Sequence, residues 1–144
     1  MSDGKGLVLT LELSAGQENE CTHATSVLDG VRITRLRGRP RQRPAAVAGD
    51  KGYSSRAIRA WLRAKKVRAA IPERRDQIAH RKGRPRKFDR AAYRRRNVIE
   101  RAVGWLKECR RLATRFEKLA TQFLAMLKLA MIEQHMQRYL SNTA

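Results

Sequence analysis

Tyr93, Arg96, Glu100 and Lys107 stand three, four and seven residues apart, steps that gather side chains on one face of a helix. At about 100° per residue the four share a stripe roughly 60° wide. Val98, Ile99, Ala102, Trp105, Leu106 and Cys109 fall around the opposite side. One carboxylate in a row of cations, backed by apolar surface, suits a site that holds a metal ion beside a phosphodiester. The plainer alternative is a solvated cationic stripe, since a segment this rich in Arg puts some on any face. A second acid, Asp50, follows the apolar run Ala45 to Ala48, which suits a buried strand whose C-terminal end delivers a carboxylate. Open α/β sheets present their chemistry at that edge. Taken alone in so basic a chain, either acid reads first as half of a surface ion pair.

The spacing of Tyr93, Arg96, Glu100 and Lys107 resembles, without a gap, the Y-R-E-K signature of DDE transposases of bacterial insertion sequences. Ala48-Gly49-Asp50-Lys51-Gly52-Tyr53 is similar to the A-D-K-G-Y block of the same enzymes, with Gly49 inserted before the Asp. Ile71-Pro72-Glu73-Arg74 looks like their I-P-x-R segment, and Arg115-Phe116-Glu117-Lys118-Leu119-Ala120 like their R-F-E-K-L-A stretch. The likeness covers nearly the whole chain. It implies a partial RNase H-like fold of few strands and long C-terminal helices. It further implies that Asp50 and Glu100 are catalytic metal ligands for Mg²⁺ in a two-metal site. Tyr93, Arg96 and Lys107 would then hold DNA. In the family a first Asp precedes these blocks on its own strand. Nothing in this sequence matches that Asp, so the resemblance implies a single incomplete catalytic domain over 1–144, the first catalytic strand missing and the chain inactive alone. Asp3, in Asp3-Gly4-Lys5-Gly6, reads as a turn residue before an alternating apolar run rather than as a ligand.

Lys and Arg number 33 against 13 Asp and Glu, a formal charge of +20. Such a chain repels itself unless a polyanion neutralises it, and nucleic acid is the usual one. No stretch supplies about 18 consecutive apolar residues for a membrane span, and the N-terminus lacks the pattern of a secretory signal. A cytoplasmic, nucleoid-associated protein is expected. Cys21 and Cys109 form no disulfide framework. His23, His80 and His135 stand far apart, none at zinc-finger spacing from a Cys, and read as structural or surface residues. DNA, meaning transposon ends and target, is the expected partner, with a homodimer or an intact transposase as possible protein partners. The rival function is a non-catalytic basic remnant that coats DNA or inhibits an intact transposase. A ribosome-associated protein would explain the charge but not the Y-R-E-K spacing.

The elements that must position these residues follow from pattern. Gly6 to Leu13 alternates like a strand. Glu18 to Val31 carries a helical period, with Thr22 a possible cap. Thr34 to Pro44 has five Arg and two Pro and reads as an exposed basic loop. Its Arg37-Gly38-Arg39-Pro40 is similar to AT-hook peptides that enter a narrow minor groove, the alternative being a loop that meets backbone without sequence preference. Ser54 or Ser55 caps a helix to about Lys65, and Val67 to Ile71 is a strand, so strand, helix and strand read as a parallel crossover of the α/β class. Pro72 to Phe88 is expected as a second basic loop, with Arg84 and Arg86 set to meet phosphate. From Asp89 one long helix should run to about Leu112, and a last helix from about Phe116 to Leu140.

Overall fold

In the computed structural model, which describes residues 1–35 and 37–141, the chain is mostly helical with one two-stranded sheet. The order is α1 (Glu20–Asp29), β1 (Ala46–Ala48), a 3₁₀ turn (Lys51–Tyr53), α2 (Arg56–Ala64), β2 (Arg68–Ala70), α3 (Arg75–Ala79), α4 (Arg90–Arg94), α5 (Asn97–Glu108), α6 (Arg110–Ala113) and α7 (Ala120–Ser141). Two compact units form, one of Ser14–Arg96 and one of Met1–Leu13 with Asn97–Ala144.

In the Ser14–Arg96 unit, β1 and β2 pair in parallel, with Ala46, Val47 and Ala48 opposite Arg68, Ala69 and Ala70. Parallel neighbours need a crossover, and α2 provides it. Ser55 starts α2 by accepting the Ile58 N–H at 3.1 Å, as its side chain is suited to do. Ile58 and Leu62 are 2% and 1% exposed and form the core with Leu28, Val31, Val67, Ala70 and Ile71. The end of α2 is set by backbone geometry: Lys66 takes φ 56°, its N–H reaches the Arg63 carbonyl and the Val67 N–H reaches the Leu62 carbonyl. That left-handed stop turns the chain straight into β2. α1 starts three residues before the expected Thr22: Asn19 caps it by accepting the Cys21 N–H, and Thr22 donates its hydroxyl to the Asn19 carbonyl. Trp61 is half-buried and donates its ring N–H to Asp29 at 3.2 Å.

Three expectations change. The expected loop from Pro72 to Phe88 contains the short helix α3, because Gln77 grips the chain on both sides. Its carboxamide oxygen accepts from Arg74 N–H and the Ser54 hydroxyl, and its NH₂ donates to the Ser54 carbonyl. The expected helix from Asp89 to Leu112 is three pieces. Asp89 does cap α4, but a turn at Arg95 and Arg96 ends it, where the Arg96 N–H closes on the Tyr93 carbonyl. Three consecutive Arg crowd like charge into one turn, and Arg96 instead lays its guanidinium 5.5 Å over the Tyr93 ring, a cation–π arrangement. Cys109 then adopts extended ψ 99° between α5 and α6. The stretch from Tyr93 to Lys107 is therefore not one continuous helix; Glu100 and Lys107 stand about two turns apart on α5. The third change is at Gly6 to Leu13, where no strand forms; Ser2 and Val8 make one isolated antiparallel bridge.

The turn at Asp3 forms as expected. Its Oδ1 accepts the Lys5 and Leu7 N–H groups at 2.8 and 2.9 Å, and Gly6 takes φ 95°. In the same unit α7 clasps this turn: Gln134 accepts the Val8 N–H and donates to the Gly6 carbonyl, and His135 Nε2 meets the Val8 carbonyl at 2.9 Å. Ala102, Leu112 and Ala130 are buried where α5, α6 and α7 meet. α7 starts at Ala120 rather than Phe116; Arg115, at φ 48°, ends α6 with the same left-handed pattern as Lys66. Both cysteines are half-buried free thiols.

A non-glycine residue in the left-handed region carries a steric penalty of about 1 kcal/mol. Lys66→Gly should therefore leave the urea-unfolding slope unchanged and raise stability by about 0.5–1 kcal/mol. A loss of stability would show that the Lys66 side chain contributes more than its backbone costs.

Candidate active site and nucleic-acid interface

Asp50 stands directly past β1, at the C-terminal end of a parallel strand. It caps the 3₁₀ turn, its Oδ1 accepting the Gly52 N–H at 2.8 Å. A Cβ on residue 52 would lie 2.9 Å from that oxygen, so glycine is what lets the carboxylate fold over the turn. Arg74 fixes the turn from the other side, donating to the Lys51 and Gly52 carbonyls at 3.1 and 2.8 Å. The Ile71-Pro72-Glu73-Arg74 segment thus supplies the arginine that braces the Asp50 turn. Asp50 is exposed, and carboxylate oxygen suits a hard divalent cation. Glu100 is exposed on α5 in the other unit, with Lys107 exposed on the same helix. Its donor chemistry fits the same class of ion. Among the described residues no group of three or more His, Cys, Asp and Glu is drawn together for a metal.

Below Asp50 the polar core is unusually well connected. Ser54 is fully buried; its hydroxyl accepts from Arg59 at 2.7 Å and donates to Gln77 at 2.6 Å. Arg59 also donates to the Ile71 and Pro72 carbonyls, so its guanidinium is locked between α2 and the end of β2. Burial first, and then the charge of Arg86, pull the Arg59 pKa down, with Glu73 opposing. Tyr53 donates its hydroxyl to Glu20 at 3.0 Å. Desolvation first, and then the Glu20 carboxylate, push its phenol up to about 12.

Among the residues expected to meet DNA, Tyr93 is half-buried, with Phe88 at 5.4 Å between ring centres and Arg96 over its face. Arg37 and Arg39 are exposed beside Gly38, which takes φ 87°. Their loop is pinched by backbone bonds between Ile33 and Arg41 at 2.9 and 2.8 Å; position 36 lies outside the described residues. Arg39 lines a cavity of about 310 Å³ with Arg35, Arg41 and Arg43. Arg84 is exposed next to Gly83, and Arg86 lies 3.5 Å from Glu73.

A second cavity, of about 350 Å³, was not foreseen. Arg56, Arg59, Arg63, Arg81, Lys82 and Arg86 line it around Glu73. The signal was present in part: Arg56, Arg59 and Arg63 are spaced three and four apart, one face of a helix, separate from Ile58 and Leu62. What the spacing could not give is the return of the chain from Arg81 to Arg86 against that face.

The Tyr53 environment has a definite pH signature. The folded phenol holds its proton to about 12 against an ordinary 10.0, so its contribution to stability is complete below pH 10 and lost as pH rises from 10 to 12. The ultraviolet difference between the native chain and Tyr53→Phe should show phenolate appearing near pH 12, and Glu20→Gln should bring that midpoint down. A midpoint near 10 would show that the Tyr53 to Glu20 contact is not held in solution.

Residues 1–132 match the family described as Transposase DDE domain. The chain is also 34% identical, over 130 residues, to the putative transposase for insertion sequence element IS402 of Burkholderia cepacia, across 90% of this chain and 57% of that protein. It thus spans little more than half the length of this relative. No solved structure matches it. Among the described residues no helix is long and apolar enough to cross a membrane. With Asp50 at its strand end and with matches of this extent, the chain belongs to the DDE transposase family of bacterial insertion sequences.

Proposed function

We propose that this chain is the C-terminal part of an RNase H-like transposase domain that acts on DNA by metal-dependent strand cleavage and strand transfer. The observation that carries the reading is the position of Asp50, an exposed carboxylate past the end of a parallel strand, where open α/β sheets present their chemistry. Asp50 and Glu100 would hold the metal. When bound, Mg²⁺ supplies Lewis-acid activation of a water or a DNA 3′-hydroxyl and stabilises the leaving oxygen. Lys107, Arg96 and the basic loops at 34–44 and 72–88 hold phosphates of the strand, and Tyr93 lies beside it. The 144 residues supply two of the family's three carboxylates, so the chain alone performs little or no strand transfer. Its partners are the transposon ends and target, with a second copy or an intact transposase as the protein partner, in the cytoplasmic nucleoid.

A second reading is a non-catalytic DNA-coating remnant that inhibits an intact transposase. It is favoured by the formal charge of +20, which by itself suffices for binding to a nucleic-acid backbone. Mg²⁺-dependent nicking of supercoiled DNA separates the two. On the catalytic reading any nicking by the chain, alone or with an intact relative, falls at least about a hundredfold in Asp50→Ala and Glu100→Ala, the cost of several kcal/mol of charge stabilisation. Nicking that both variants leave intact would overturn the assignment of these two acids.

A further inference from the structure

The cavity between α2 and the Glu73 to Arg86 segment carries six cations around one carboxylate, a net five positive charges before His80 is counted. Such a concentration is unfavourable unless something anionic enters it. Three features suit it to hold an anion rather than merely to attract one. Arg59 is immobilised by its bonds to Ser54, Ile71 and Pro72. Glu73, with only 12% of its side chain exposed, holds Arg81 at 2.7 Å and lies 3.5 Å from the more exposed Arg86, so the Arg81 guanidinium has little conformational freedom left to lose. Arg56 and Arg63, both exposed, line it from the same face of α2 as Arg59. Planar guanidinium forks match a tetrahedral oxyanion in paired hydrogen bonds, and a volume near 350 Å³ admits a phosphate group with its waters.

We propose that this cavity is a phosphate-binding site, separate from the Asp50 and Glu100 carboxylates, that seats a phosphodiester of the DNA backbone without reading its sequence. The choice of DNA as the source rests on the function proposed above; the site itself rests on the cavity alone. Its contribution is to anchor the duplex through backbone charge, which fixes position without specifying bases.

The test uses the full chain, the double variant Arg56→Ala/Arg63→Ala, and a charge-matched control, Lys118→Ala/Lys128→Ala, on the other unit. Affinity for a short duplex of arbitrary sequence is measured across salt concentrations, and the arginine side-chain NMR signals are followed during titration with pyrophosphate. The cavity variant should bind the duplex several-fold more weakly than the control, with a salt slope shallower by about two units. It should also lose saturable pyrophosphate shifts that the native chain and the control retain. A cavity variant that matches the control in duplex affinity and slope overturns the backbone assignment, and native arginine signals that do not saturate with pyrophosphate overturn the site. If the native chain shows no salt-dependent duplex binding, the DNA reading falls. The pyrophosphate titration then still decides the cavity, with saturation supporting a site for free phosphate.

Discussion

Excess positive charge is the constraint to which the structure answers. With 33 basic and 13 acidic side chains, most cations have no carboxylate of their own, and several of the few acids restrain a segment. Glu73 ties Arg81 and Arg86, Asp29 meets Lys65, and Glu117, 8% exposed, holds Arg111 at 2.8 Å. Guanidinia also lie over rings: Arg96 on Tyr93, Arg111 on Phe116 and Arg115 on Phe123. Contacts of this kind at exposed positions contribute about 0–1 kcal/mol each. They position side chains more than they stabilise the fold, and the remaining charge is left for an external polyanion.

The same constraint shapes the functional surfaces. Asp50 is held by backbone: it accepts the Gly52 N–H, and its turn is braced by Arg74. Where the chain needs cations close together, it locks them before any ligand arrives, as Arg59 is locked on Ser54 and two carbonyls. Restraint of this kind lowers the entropy lost when an anion binds.

Much of this was legible in the sequence, and the parts that were have local causes. β1, β2 and the crossover helix announce themselves through an apolar run, a Ser cap and a second apolar run. Asp89 and Ser55 cap as their side chains dictate. Asp3 made its turn because Asp-Gly favours one with or without a sheet. The failures are non-local or electrostatic. Gly6 to Leu13 alternates like a strand, but a strand needs a partner, and among the described residues only Ser2 bridges to it. The helix through Tyr93 to Lys107 has the right period, yet a period carries no information about three adjacent Arg, and the chain breaks there. α3 has too few residues for a period and is held by Gln77 on Ser54, more than twenty positions earlier. Of the candidate site, Asp50 was visible as a strand-end acid, whereas its brace from Arg74, the Tyr53 to Glu20 bond and the cationic cavity all arise from segments that meet only in three dimensions.

On the function proposed above, a polyanion neutralises the excess charge of this fold. Thermal unfolding of the chain followed with and without duplex DNA, at low salt and at about 1 M salt, where the screening length is about 3 Å, tests it most directly. The midpoint should rise with DNA concentration at low salt, as ligand binding to the native state requires, and the rise should vanish at high salt. A midpoint unmoved by DNA at low salt would contradict it.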